Sequence, residues 1–119
     1  MSKKLPNYLR TYRRHSALSQ REMAFLLGSR RGSKVSRHEQ SARVPSIEAL
    51  LGYEVVLGVP LRMLFAGIYE KVEAVVRERA KALIAELLTE PHSELRARKI
   101  QLLRRLLVNV DDDLYEFDR

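Results

Sequence analysis

The sequence predicts an all-α fold, and two observations support that prediction. Apolar residues recur at three- and four-residue steps along nearly the whole chain, which is the spacing that places them on one face of a helix. No sustained alternation of apolar and polar residues is present, and the helix formers Leu, Ala, Arg and Glu dominate. A chain of 119 residues can bury one core and carry one appended element.

The first two helices are predicted from apolar spacing and from a helix-start pattern. Residues 7–14 form the first helix, with inner residues Leu9 and Tyr12. Ser19, followed three residues later by Glu22, has the spacing of a capping box, so a second helix begins there. This helix ends at Gly28, where the backbone is expected to be left-handed.

Three further short helices are expected before Gly67. The third begins near Ser33, and the fourth begins at Pro45 and Ser46 and ends at Gly58. Spacing assigns four residues to the inner face of this fourth helix: Ile47, Leu50, Leu51 and Val55. Residues 61–65 form the fifth helix and complete a compact bundle.

Two longer amphipathic helices are expected after Gly67, one ending before Pro91 and one beginning near Ser93. We therefore divide the chain into a bundle, residues 1–66, and a helical hairpin with an acidic tail, residues 67–119. The apolar stripes of the hairpin are wider than one hairpin needs, which favours a homodimer or a protein partner. The alternative is that they only complete the core of a monomer. The stripes consist of Ile68, Val72, Val75, Val76, Ala80, Leu83, Ile84, Leu87 and Leu88, and then Leu95, Leu102, Leu103, Leu106, Leu107 and Val110.

Positive charge is concentrated in the first half of the chain. Residues 1–50 contain 11 Lys and Arg against 3 Asp and Glu, a net +8, whereas residues 51–119 contain 11 against 12, a net −1. This asymmetry favours a polyanionic partner, nucleic acid first and anionic lipid second. The alternative is an ordinary solvated surface.

The composition argues against metal sites, cofactors and catalysis. The chain has no cysteine, and its three histidines, His15, His38 and His92, are scattered. Asp111, Asp112 and Asp113 are interpreted as part of an acidic tail, because consecutive acids do not converge on one ion without a turn. No Ser/His/Asp arrangement, phosphate-binding glycine loop or pair of catalytic carboxylates is evident. We expect no enzyme activity, no membrane span and a cytoplasmic location.

The bundle resembles the helix-turn-helix transcriptional regulators of the Xre, phage Cro and phage cI repressor family, over residues 9–65. The resemblance implies a five-helix lambda-repressor-like fold that binds double-stranded DNA as a homodimer. It rests on the joint spacing of these residues: Leu9, Arg13, Leu18, Ser19, Gln20, Ala24, Leu27, Gly28, Val35, Ser36, Arg37, Glu39, Pro45, Ser46, Val59, Pro60, Leu64 and Phe65.

The resemblance also implies a role for each matched residue. Val35 anchors the recognition helix, residues 33–40, in the core, and Arg37 reads a guanine edge or else contacts a phosphate. Arg13 and Glu39 form an ion pair that orients this helix, the alternative being that Arg13 contacts phosphate. The residues expected at DNA are Gln20, Arg21, Arg30, Arg31, Ser33, Lys34, Ser36, Arg37 and Arg43.

The sequence departs from the family pattern at three places. The turn at residues 29–32 is one residue longer than usual, and we expect Gly32 to accommodate the extra residue with a positive φ. Ser41 replaces a usual glycine, so this serine is strained or the loop differs. His38 replaces a usual apolar residue and is expected to be partly buried or to face DNA, and a buried neutral imidazole would loosen the region in acid.

Two functions remain open at this point. The first is a sequence-specific DNA-binding regulator that acts as a repressor. The second is an antitoxin or adaptor that holds a partner protein through its C-terminal helices and represses its own operon. Non-specific polyanion binding, RNA included, is a third outcome that the charge of the first half would drive unaided.

Overall fold

The computed structural model describes residues 5–108. This part of the chain contains seven helices and no strand, which confirms the all-α class. Val110 and the three aspartates, Asp111, Asp112 and Asp113, lie outside the described residues. The helices are α1 Leu9–His15, α2 Gln20–Leu26, α3 Gly32–Glu39, α4 Ile47–Leu57, α5 Leu61–Leu64, α6 Ala66–Leu87 and α7 Glu94–Leu106.

The chain folds into two compact units, Met1–Lys71 and Val72–Arg119, which divide inside α6. The sequence placed this division near residue 66, at Gly67. Gly67 instead lies within α6, and its N–H donates to the carbonyl oxygen of Leu5 over 3.0 Å. The Tyr8 N–H donates in the same way to the carbonyl of Leu64. The first turn of α6 is therefore hydrogen-bonded to the N-terminal segment of the bundle.

The core of the first unit takes one or two inner residues from each of its five short helices. Each of these side chains is at most 1% exposed, and full burial of one large apolar side chain contributes about 1.5–3 kcal/mol. Isolated helices of this length are marginal in water, so the shared core is what keeps them folded. The core residues are Leu9, Met23, Ala24, Val35, Tyr53 and Leu64.

The helices α1, α2 and α3 all end in the same hydrogen-bonded motif. The first residue past each helix cap is left-handed: Ala17 at φ 62°, Gly28 at 84° and Ser41 at 59°. The next residue then donates its N–H back into the last turn, from Leu18 to Arg13 O, from Ser29 to Ala24 O and from Ala42 to Arg37 O. Gly28 adopts this conformation freely, whereas the Cβ atoms of the other two are strained.

The predicted inner face of α4 is wrong. Ile47, Leu51 and Val55 are 74%, 50% and 81% exposed, and Leu50 is half-buried. The face that packs on the core contains Tyr53, which is 1% exposed, together with the half-buried Val56 and Leu57.

Two contacts with other helices set the rotation of α4. Apolar residues surround this helix on all sides, so their spacing does not select a face. The Tyr53 hydroxyl is hydrogen-bonded to His38 of α3 over 2.8 Å. At Gly52, an added Cβ would lie 2.6 Å from Cδ2 of Leu27, so a larger residue there would require the Leu27 side chain to move.

In the second unit, α6 and α7 pack through a small set of buried apolar residues, Ala80, Leu87 and Ile100. Hydrogen bonds from two arginines connect the two helices at the end of α7 and at the turn between them. Nε of Arg77 donates to the carbonyl oxygen of Leu106 over 2.9 Å, and Nη1 of Arg96 donates to that of Glu90 over 2.9 Å. These bonds satisfy carbonyls near the end of each helix.

Each helix of the second unit also has a second apolar face, which is exposed. On α6 this face, the α6 stripe, contains Val72, Val75, Val76 and Leu83, and on α7 the α7 stripe contains Leu95, Leu102 and Leu106. No helix in the described part of the chain is long and apolar enough to cross a membrane.

Candidate nucleic-acid interface

The first turns of α2 and α3 lie directly against each other. A Cβ added at Gly32 would lie 3.0 Å from the backbone nitrogen of Arg21 and 3.2 Å from the carbonyl carbon of Gln20. A side chain at this position would require one of the two helices to move. The close approach places Gln20 and Arg21 beside the start of α3.

The prediction that Gly32 has a positive φ is wrong. Among the residues that the structure describes, the glycines with positive φ are Gly28 and Gly58. Gly32 is instead the first residue of α3, and Arg31 before it is extended, at φ −120° and ψ 128°. The chain enters α3 in extended backbone, and Gly32 then lies against the backbone of α2.

The helix α3 has a buried face and an exposed face. Val35 and His38 are 1% and 2% exposed and hold the helix on the core. The residues expected at DNA lie on its other sides: Ser33, Lys34 and Arg37 are exposed, and Ser36 is half-buried. The exposed side thus has two cations and a hydroxyl group, within reach of an approaching ligand.

The four remaining arginines expected at DNA are also exposed. Arg30 and Arg31 lie in the turn between α2 and α3, and Arg21 lies in the first turn of α2, beside the start of α3. Arg43 follows α3, and its charge acts on His38 together with that of Lys34. The structure therefore collects these cations around α3.

A buried ion pair connects α1 to α3. Nε of Arg13 donates to Oε2 of Glu39 over 2.5 Å and Nη2 donates to Oε1 over 3.2 Å, in a two-pronged geometry. The two side chains are 10% and 3% exposed. Nη1 of Arg13 also donates to the carbonyl oxygen of Leu18 over 2.8 Å, so the guanidinium is occupied within the fold and does not face solvent as a phosphate contact would.

Gln20 extends this ion pair to α2. Its Nε2 donates to Oε1 of Glu39 over 3.0 Å, so one carboxylate holds residues of α1 and α2 against α3. The half-buried side chain of Gln20 is thus engaged inside the protein, and its contact with the DNA backbone stays a prediction. The network holds α1, α2 and α3 together through one carboxylate.

His38 is buried, and its ring lies against Tyr53. Nδ1 is 2.8 Å from the Tyr53 hydroxyl, and Nε2 is buried without a hydrogen-bond partner. Burial lowers the pKa of His38 below its usual value, and the positive charges of Lys34 and Arg43 lower it further. Burial also raises the pKa of Tyr53, so the hydroxyl stays protonated.

Sequence reasoning missed Asn7 and Tyr53 as residues that position α3. Nδ2 of Asn7 donates to the carbonyl oxygen of His38 over 3.1 Å and to Oγ of Ser41 over 3.0 Å. These bonds support the left-handed Ser41, which the sequence identified as strained or differently folded. The available signal was chemical: a histidine at a core position needs a polar partner, and Tyr53 is the one hydroxyl-bearing residue of α4.

The described residues contain no group of three or more His, Cys, Asp or Glu side chains placed to hold a metal ion. Comparisons with known proteins add no relative. No family model matches the chain, and no curated protein or solved structure gives a significant match to it.

Proposed function

We propose that this protein is a sequence-specific DNA-binding regulator that places α3 in the major groove and acts as a repressor. The observation that carries the proposal is the division of α3 into two faces. Val35, His38 and Glu39 fix the helix to the bundle, while Lys34 and Arg37 face outward. A rigid helix with a basic outer face is what readout of base edges requires.

The surrounding arginines supply the affinity that does not depend on sequence. Phosphate contacts account for most hydrogen bonds to DNA and set the register of the protein on it. Arg21, Arg30, Arg31 and Arg43 are exposed around α3 and take this role. Arg37 pairs with O6 and N7 of a guanine, and Ser33, Lys34 and Ser36 contact neighbouring groups.

A homodimer suits this function, because one short helix contacts too few base pairs to define a site. Two copies related by a two-fold axis would read half-sites about 34 Å apart. The exposed α6 and α7 stripes offer the apolar area that such pairing needs. A repressor of this kind acts in the cytoplasm by occupying DNA and needs neither a cofactor nor catalysis.

A second candidate function draws on the same stripes. An antitoxin or adaptor would bury the α6 and α7 stripes against a partner protein and use α3 to repress its own operon. Exposed Val72, Val75 and Leu102 favour it, because apolar side chains in such number on a small unit indicate an interface. A co-purifying protein that binds through the second unit would distinguish this function from a simple homodimer.

The test of DNA recognition is selection of bound duplexes from a random pool. The selection is run at about 150 mM salt, because salt suppresses the counterion-release contribution shared by all basic proteins. We expect an enriched inverted repeat with half-sites about 10 base pairs apart.

Two variants then separate base readout from charge. Arg37→Ala is expected to lose preference at one base position in each half-site, at a cost of about 1–3 kcal/mol in discrimination. Arg14→Ala is the matched control, because it removes the same charge from an exposed position on α1. No enriched sequence, or equal and uniform weakening by both variants, would contradict the proposal.

A further inference from the structure

The second unit contains a groove lined by three arginines. The groove runs along α7 beside Leu88, which follows the end of α6, and its lining also includes the apolar side chains of Ala97 and Ile100. Its described lining includes no carboxylate. Within residues 5–108, no ion pair compensates these cations: Arg96, Arg104 and Arg105.

Of the three arginines, Arg96 shows most clearly that the described groove has no counter-charge. Its Nη1 is used on the carbonyl oxygens of Glu90 and Leu87, at 2.9 and 3.5 Å. Its Nε is buried and has no hydrogen-bond partner. A half-buried guanidinium without a carboxylate is costly, so an anionic ligand in the groove would lower the free energy of the unit.

The described chain ends at the rim of this groove. Val108 is one of the lining residues, and its carbonyl oxygen accepts a hydrogen bond of 3.4 Å from Nη2 of Arg77. Nε of the same arginine holds the carbonyl of Leu106. The point from which the following segment starts is therefore fixed against α6.

The segment that follows is chemically complementary to the groove. Residues 111–118 read DDDLYEFD, with five carboxylates and no Lys or Arg. Leu114, Tyr115 and Phe117 are interspersed among these acids. The groove offers cations and apolar carbon side by side, and this segment offers both anions and apolar side chains.

We propose that the acidic segment, residues 111–118, binds in the arginine-lined groove of its own chain. Its carboxylates pair with Arg104 and Arg105, and its apolar side chains cover Ala97 and Leu88, which are exposed in the lining. These pairs are charge-assisted, and because Arg104 and Arg105 are exposed they are sensitive to salt.

The segment is long enough to make these contacts. An extended chain advances about 3.3 Å per residue, so Asp111 reaches about 10 Å from Val108 and Leu114 about 20 Å. Along α7, at about 1.5 Å per residue, Arg104 lies about 6 Å from Val108 and Ile100 about 12 Å. The segment therefore covers the groove by running back along α7.

Binding in this groove would neutralise the basic face of α7. Three arginines would otherwise add to the attraction of the whole protein for any polyanion. With them paired, the second unit offers a polyanion fewer free cations, although its net charge does not change. The proposal is independent of DNA recognition, because all of its residues belong to the second unit.

Disulfide trapping tests the proposal in the full chain, which contains no native cysteine. The test protein carries Gln101→Cys, in the groove lining, with Leu114→Cys. The control carries Leu102→Cys, on the α7 stripe outside the lining, with the same Leu114→Cys. Under mild oxidation, we expect the in-chain disulfide of the test protein to form at least about 10-fold faster, since bridging requires close Cα atoms.

Charge removal completes the test. Adding Arg104→Gln and Arg105→Gln to the test protein should reduce its rate to that of the control, as should 1 M salt, which screens the pairs. Helical circular dichroism and the melting temperature verify that each variant is folded. Equal rates for the two cysteine pairs, a rate insensitive to charge, or disulfides that join two chains would each overturn the proposal.

Discussion

The position of α3 depends on single residues that each have two or more polar partners. Glu39 receives hydrogen bonds from Arg13 and Gln20, and Asn7 bonds to both His38 and Ser41. Because a buried polar group that loses its partner retains the cost of its desolvation, removing one member of such a group is expensive. The orientation of the basic outer face of α3 therefore depends on polar residues of α1 and α2 and of the segment before α1.

Arg13→Met tests this dependence at the ion pair. The substitution leaves the Glu39 carboxylate buried without its cation, and we expect a loss of about 3 kcal/mol in the free energy of unfolding. Urea unfolding measures it. Arg14→Met, the exposed neighbour, serves as the control and should change stability by less than about 0.5 kcal/mol. Equal effects of the two substitutions would show that the pair has no structural role.

Because of His38, we expect the free energy of unfolding to decrease in acid. The pKa of its imidazole is lowered in the fold, so the unfolded chain binds a proton that the folded chain does not. The stability that the neutral ring contributes is complete above the unfolded pKa of about 6.5. It is lost as the pH falls from there toward the lower folded pKa, at up to about 1.4 kcal/mol per pH unit.

The measurement compares urea midpoints at pH 7.5 and 5.5 for the parent chain, His38→Gln and His92→Gln. The last is the control, since His92 is exposed. His38→Gln should lose most of the dependence on pH, and His92→Gln should retain it. A parent midpoint that does not move between these two pH values would rule out a buried neutral His38.

At the level of the helices, α1, α2 and α3 end in the same backbone conformation, although different residue types form these ends. Ala17, Gly28 and Ser41 occupy the same left-handed position after α1, α2 and α3, although one of the three is a glycine. The motif satisfies the last carbonyls of each helix, and it persists despite the strain at Cβ. The hydrogen bonds and the burial of each helix evidently outweigh this strain.

Ala17→Gly should stabilise the protein. Glycine removes the strain of a left-handed alanine, which is about 1–2 kcal/mol. It also gives the unfolded chain more conformational entropy, which costs about 0.5–1 kcal/mol of stability. We expect a net gain of about 0.5–1 kcal/mol in thermal or urea unfolding. The reverse change, Gly28→Ala, should cost about 1 kcal/mol, since its Cβ meets no atom within 4 Å and only φ is strained. A loss on Ala17→Gly would contradict the strain at this position.

On the scale of the whole molecule, the two units differ in how their apolar and charged residues are arranged. The first unit has a closed core and an exposed basic helix, whereas the second buries Ala80, Leu87 and Ile100 and leaves two apolar stripes exposed. A hairpin with so small a core gains stability by association. This arrangement fits a protein in which one unit binds DNA and the other binds a second copy.

Val75→Glu tests the dimer. Val75 lies on the α6 stripe and is 46% exposed, so a carboxylate there is tolerated in a monomer but is desolvated in an apolar interface. We expect the parent to sediment as a dimer at micromolar concentration and Val75→Glu as a monomer. The control is Ala85→Glu. Ala85 is exposed and lies about 80° from Val75 around α6, at 100° per residue, so this variant should remain dimeric. A monomeric parent would refute the role given to the stripes.

The sequence by itself determined the features that depend on near neighbours. The helical class follows from three- and four-residue spacing, the start of α2 follows from Ser19 and Glu22, and the left-handed turn after α2 follows from Gly28. The division of charge between the two halves is likewise a property of composition. The helical spacing, the cap and the left-handed turn each arise within about one helical turn, and the charge division needs only a count of residues, so a linear pattern is enough to predict them.

Only the tertiary structure decided which faces are buried and which polar groups are paired. The hydrogen bonds of Tyr53, Glu39 and Asn7 join residues 15, 26 and 31 positions apart. The face of α4 was assigned wrongly because an apolar helix has no preferred side until another element supplies a partner. The role of Gly32 was missed for the same reason. Gly32 is constrained by the backbone of α2, which lies about one helix away in sequence and contacts it only in the fold.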